Sequence, residues 1–175
     1  MSLFIVKHGW NNLVGTLDNI QPGLFRTILV TFWIPNLKQI TGAIETKLAA
    51  VASTKLICEC SALSDPASSE VWGKMLDSLV TLVTGPQEER VEEESEVPDF
   101  AETGSYSASF VRLYNVNRRD DDPLKEIKDP KQFLLASLRN YSNFSTGRYG
   151  QVISENLDPA NQAALSQLYS TLTNA

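Results

Sequence analysis

The sequence predicts an all-α fold built from helical repeats. Three observations carry the prediction. Apolar residues recur at three- and four-residue spacing in segment after segment, the period of a helix with one buried face. Proline, glycine and Asp-Pro pairs punctuate those segments where helices start and stop. Two helix starts, near Leu24 and Ser68, lie about 45 residues apart, within the ~40–47 residue period of HEAT and armadillo repeats. An all-α HEAT-type solenoid, an alpha-alpha superhelix, is therefore expected.

The elements follow in order. From Leu3 to Ile20, Phe4, Ile5, Trp10, Leu13, Val14 and Leu17 keep helical spacing, so one helix is expected, weakened by Gly9 and Gly15. It opens in mid-pattern without a capping signal, which reads as the start of a fragment. An unpaired first repeat would expose Phe4, Ile5, Trp10 and Leu13. Pro22 suits a first helical turn. Leu24, Phe25, Ile28, Leu29, Phe32 and Trp33 then form one stripe. Pro35 should kink or end that helix, because it lacks an N–H and its ring crowds the preceding turn. Thr41-Gly42 marks the next junction.

Ala43 to Cys60 is the cleanest helix, with Ile44, Leu48, Val51, Ala52, Leu56 and Ile57 on one broad face. Its alanines let a neighbour approach closely. Ser64-Asp65-Pro66 stops and restarts the chain, with Asp65 the candidate N-cap. Val71, Trp72, Met75, Leu76, Leu79, Val80 and Val83 make the next face, which Gly85-Pro86 ends. The β-branched run at Val80–Val83 keeps helical phase and is read as helix. Tyr106, Phe110, Leu113 and Tyr114 suggest a helix over 104–116. Pro130 opens another with Phe133, Leu134, Leu135 and Leu138. Tyr149, Val152, Ile153 and Leu157 support a short one. Asp158-Pro159 starts the last, with Ala163, Ala164, Leu165, Leu168 and Leu172. It ends in polar Thr171, Thr173 and Asn174, as a natural terminus would.

Charge is unevenly placed. The chain carries a formal −6, yet 85–103 holds Glu88, Glu89, Glu92, Glu93, Glu94, Glu96, Asp99 and Glu102 against Arg90 alone. That segment accounts for −7 and leaves +1 for everything else. No basic stripe is present for a phosphate backbone, which argues against nucleic acid. No apolar run approaches the ~20 residues of a membrane span, and Met1-Ser2 does not begin a secretory signal. Cys58 and Cys60, two residues apart on a helix with His8 far away, make neither a disulfide framework nor a zinc site; partly buried thiols are expected. The sequons at Asn140 and Asn143 carry no weight without a secretory signal. No cofactor or metal is expected. Asp120, Asp121 and Asp122 lack the spaced ligands and glycine of a calcium loop, and no base stands near the hydroxyls to activate a nucleophile. What remains is surface, so the chain reads as a binding protein.

The run NIQPGLFRTILVTFWIPNLKQITGAIETKLAAVASTKLICEC, followed in order by VWGKMLDSLVTLVTGPQEE and DPLKEIKDPKQFLLASL, resembles the C-terminal region of the exportin-2 (cellular apoptosis susceptibility) family. The likeness covers nearly the whole chain and is closest in wording to plant members. This family belongs to the importin-beta-like transport receptors, superhelices of HEAT repeats that lack enzymatic activity. The resemblance implies return of importin-alpha from nucleus to cytoplasm in complex with Ran-GTP, and shuttling through the nuclear envelope as a monomer. It also implies one C-terminal HEAT region over 1–175, with 85–103 an acidic inter-helix loop. Set against that resemblance, the chain is expected to lack the long N-terminal arch that supplies much of the Ran grip in this family. Thr146-Gly147-Arg148 stands where family members tend to have Pro-Gly-Arg, although Thr146 can itself cap a helix.

Candidate contact residues follow. Glu88, Glu89, Glu92, Glu93, Glu94 and Glu96 would steer a basic partner, such as the basic arm of importin-alpha; a solvated linker is the plain alternative. Arg118 and Arg119 are candidates for Ran or cargo; internal pairing with Asp120–Asp122 is the alternative. Trp10, Trp33 and Trp72 could anchor a partner, but their apolar stripes favour core packing. A helical scaffold without Ran dependence is the competing function.

Overall fold

The computed structural model describes residues 1–85, 122–144 and 149–173. Among them every regular element is helical. Helix α1 (Ser2–His8) and α2 (Trp10–Ile20) replace the single first helix that the periodicity suggested. Gly9 separates them with φ at 81°, a conformation that ends α1 and re-aims the chain. The break folds α1 onto α4, so Ile5 is fully buried and Leu13 nearly so, against the expectation that both lie exposed. Trp10 is half-buried, and Phe4 stays exposed.

Pro22 shapes a turn instead of a first helical turn. The Leu24 N–H donates to the Gln21 carbonyl at 3.0 Å, and Gly23 supplies φ 79° and ψ 4°. This is a type II turn, with proline and glycine at the positions that need them. The next helix, α3, joins three pieces: Leu24–Ile28, a π turn at Leu29–Trp33, and Ile34–Leu37. Pro35 does not break it. The Ile34 N–H reaches back to the Leu29 carbonyl, which widens the turn where the proline ring would otherwise strike the carbonyl four residues earlier. Asn36 Nδ2 donates to the Phe32 carbonyl at 2.6 Å in the same stretch.

Helix α4 (Ala43–Glu59) is the centre of the molecule. It packs against α1, α6 and α7. The single broad face read from the sequence is too narrow a description: Thr46 and every residue from Ala49 to Thr54 are buried, as are Leu56 and Ile57. Each large aliphatic side chain removed from water here contributes about 1.5–3 kcal/mol. The alanines keep the axis thin enough for neighbours on several sides.

A short α5 (Ser61–Ser64) leads to Asp65, whose Oδ1 accepts the Ala67 N–H at 2.8 Å, the N-cap that Asp65-Pro66 predicted. A 3₁₀ turn (Pro66–Ser68) then feeds α6 (Ser69–Thr84), which ends at Gly85 and is helical through Val80–Val83. Helices α7 (Pro130–Phe144), α8 (Tyr149–Asn156) and α9 (Pro159–Thr173) complete the described chain. The helix expected over 104–116 lies outside the described residues.

The helices form two layers. Helix α4 lies between α1 and α7 in one layer; α6 lies between α3 and the α8–α9 pair in the other. Two side-chain links run in step along α3 and α6: Arg26 Nη1 to Ser68 Oγ at 3.0 Å, and Lys38 Nζ to Asp77 Oδ2 at 2.9 Å. Both partners advance together, so α3 and α6 run parallel, as equivalent helices of successive repeats do. They start at Leu24 and Ser69, 45 residues apart. This is a HEAT-type stack, in which each unit packs on its neighbours.

Candidate partner-docking surfaces

The residues that sequence reasoning singled out for partner contact, Glu88, Glu89, Glu92, Glu93, Glu94, Glu96, Arg118 and Arg119, all lie outside the described residues, as does Thr146. Asp122, the last of the acidic triplet, is described. Its Oδ2 meets Lys47 Nζ at 2.6 Å, and its Oδ1 accepts the Leu124 N–H at 2.8 Å. The Lys47 hydrogen bond, helped by the Leu124 N–H and the nearby Lys125 charge, outweighs desolvation and holds the Asp122 carboxyl below its ordinary range. Asp122 thus ties the returning chain to α4.

The tryptophans serve packing. Trp72 is buried and donates Nε1–H to the Ile57 carbonyl at 2.7 Å. Tyr141 of α7 stacks on it with centroids 5.5 Å apart, and Tyr149 of α8 meets it edge-on at 5.8 Å. The Tyr149 and Tyr169 hydroxyls lie 3.1 Å apart, which adds α9 to the cluster. Trp33 is half-buried and donates to Ser53 Oγ at 3.0 Å, clamping α3 to α4. Trp10 is half-buried against the core.

A polar node that the sequence did not reveal joins three helices. Asp77 is 7% exposed on α6. Besides Lys38 from α3, its carboxylate accepts Asn161 Nδ2 at 2.6 Å and the Asp158 N–H at 2.9 Å, both from the start of α9. Burial works to raise this carboxyl, but the bonds from Asn161, Lys38 and Asp158 outweigh it and hold it below the usual range. Its partners lie 39 to 84 residues away, beyond any local sequence signal. The Cys58 thiol is half-buried and that of Cys60 buried. Burial, with the neighbouring Glu59 charge, pushes Cys58 up to about 12.

The apolar surface concentrates at the α1 end. Phe32 is 61% exposed and Met1 44%, and both line a groove with Ile28, Trp33, Leu37 and Ile40. Among the described residues that line it, none has a charged side chain. Among the described residues, no helix is long and apolar enough to cross a membrane.

A two-layer helix stack whose polar side chains hold helices together defines a helical-repeat protein. The family model for the CAS/CSE protein C-terminus matches residues 1–168, and the chain belongs to that family, the exportin-2 family. It is similar to Exportin-2 of Xenopus laevis and of Homo sapiens, 30% identical to each over 159 residues, and to Exportin-2 of Danio rerio, 28% identical over 158 residues. In each case the alignment covers 90% of this chain and 16% of the relative, so the chain spans about a sixth of their length.

Proposed function

We propose that residues 1–175 act as the C-terminal HEAT region of an exportin-2-type receptor that carries importin-alpha from nucleus to cytoplasm with Ran-GTP. The observation that carries this reading is the family match over residues 1–168, together with the HEAT-type stacking of the described helices. The chain acts by binding; the nucleotide chemistry belongs to Ran. Ran-GTP and cargo each stabilise a wrapped solenoid, so each raises affinity for the other by the same factor. Hydrolysis on Ran removes one partner and releases the other, and the receptor shuttles between the two compartments. Within this chain, 85–103 is the acidic loop, Glu88, Glu89, Glu92, Glu93, Glu94 and Glu96 meet the basic arm of importin-alpha, and Arg118 and Arg119 pair with Ran or cargo.

The test is a pull-down of importin-alpha with and without Ran-GTP, comparing this chain with one extended N-terminally to the relatives' length. The extended chain is expected to retain importin-alpha only with Ran-GTP, and this chain to retain less than about a tenth as much. Replacing the six glutamates by serine should weaken capture and flatten its salt dependence. Capture that ignores the nucleotide on Ran would support a Ran-independent scaffold instead.

A further inference from the structure

A cleft of about 660 Å³ opens between α1, α4 and the segment 122–127, within the size range of ligand and peptide pockets. Lys7 of α1 and Lys55 of α4 line it, with Lys125 at the far wall. Val6, Leu124 and Ile127 give it an apolar side. Lys55 is half-buried, and neither Lys7 nor Lys55 has an ion-pair partner among the described residues. The other described lysines of α3, α4 and α6 are engaged: Lys38 with Asp77, Lys47 with Asp122, Lys74 with Glu70. Asp122 lines the cleft, but Lys47 offsets its charge, which leaves Glu126 as the opposing carboxylate there.

The wall is fixed in place. Asp122 holds the Leu124 N–H, and the Ile127 N–H donates to the Leu124 carbonyl at 2.9 Å. Leu124 is itself buried, which anchors the turn to the body. A surplus of positive charge beside an apolar wall, in a chain whose net charge is −6, selects for carboxylates interleaved with apolar side chains. Phosphate polymers fit less well, because the apolar side formed by Val6, Leu124 and Ile127 leaves them nothing to contact.

We propose that this cleft docks an acidic peptide segment of a protein partner, its carboxylates held by Lys7 and Lys55 and its apolar side chains set against Val6, Leu124 and Ile127. The inference stands apart from the export reading: it needs neither Ran nor importin-alpha, and failure of either leaves the other standing.

Fluorescence anisotropy tests it, with a labelled peptide of alternating Glu/Asp and Leu/Phe, a Gly/Ser peptide of equal length, and oligouridylate. The acidic peptide is expected to bind the full chain and to weaken with added salt. Lys55→Glu and Lys7→Glu should each weaken it about tenfold. Lys55→Met, which keeps the apolar stem, should fall between wild type and Lys55→Glu, and Lys74→Glu should leave binding unchanged. Circular dichroism melts of each variant confirm folding. No binding by the acidic peptide, equal binding by the folded Lys55→Met and Lys7→Glu variants, or oligouridylate binding as tight as the peptide would each overturn the proposal.

Discussion

Asp77 concentrates the polar stability of the described residues in one side chain. Asp77→Ala removes the acceptor of Lys38 and of the Asp158 N–H, while Asn161 Nδ2 keeps the Asp77 carbonyl and Thr81 Oγ1. It should cost about 2–4 kcal/mol in urea unfolding, the range for hydrogen bonds to a buried charge. Asp77→Asn should cost less, because its carbonyl can still accept the Asp158 N–H while the ion pair, already softened by a Lys38 that is 41% exposed, is lost. The pH dependence follows from the depressed folded-state carboxyl. Its contribution is complete above the ordinary carboxylate value near ~4 and is lost as pH falls through the lower folded value. The stability gap between wild type and Asp77→Asn should therefore be widest near neutrality and close below about pH 4; a gap constant down to pH 3 would contradict this origin. The thiols give a second check. With Cys58 pushed up by burial, little of it carries the reactive thiolate at pH 8, and Cys60 is buried. Labelling by an aromatic disulfide reagent should be slow in buffer and should accelerate with the same urea midpoint as unfolding.

At the scale of elements, close approach decides more than composition. Helices α6 and α8 meet at Gly73, where an added methyl would collide with the Asn156 side chain, reaching within 2.9 Å of its Cγ. Gly73→Ala should destabilise by about 1–3 kcal/mol despite its better helix propensity. Adding Asn156→Gly should recover part of the loss in a double-mutant cycle, because it removes the atoms that collide. Equal losses in the single and double variants would place the cost elsewhere. The helix boundaries themselves were legible: Asp65-Pro66, Gly85, Pro130 and Pro159 stand where helices begin or end. Gly9 was misjudged, and at Pro35 the helix end falls two residues on, at Leu37, for one shared reason. A glycine ends a helix only if the fold rewards the turn it permits, and here that reward is Ile5 reaching the core. A proline ends one only if the preceding turn cannot widen, and here Leu29–Trp33 widens into a π turn.

At the scale of the whole molecule, the two layers give α4 a special position. It is enclosed by α1, α6 and α7, whereas α2 buries only Leu13 and α8 has no fully buried residue. Native-state hydrogen exchange should therefore be slowest at the amides of Val51 to Ile57, and orders of magnitude faster in α2 and α8; equal protection across these helices would argue against the layered stack. By itself the sequence determined the helical content, most helix starts and stops, a step of about 45 residues between helix starts near Leu24 and Ser68, and a family likeness spread along nearly the whole chain. Only the tertiary structure decided that α4 is buried on several sides, that Ile5 and Leu13 are core, that Asp77 binds three helices together, and that Lys7 and Lys55 face one cleft. The physical reason is range. Periodicity, proline and glycine act through dihedrals and hydrogen bonds a few residues away, and so are written locally. Burial of a second helix face, and the meeting of Lys38, Asp77 and Asn161, depend on how the helices stack, which no single stretch of sequence encodes.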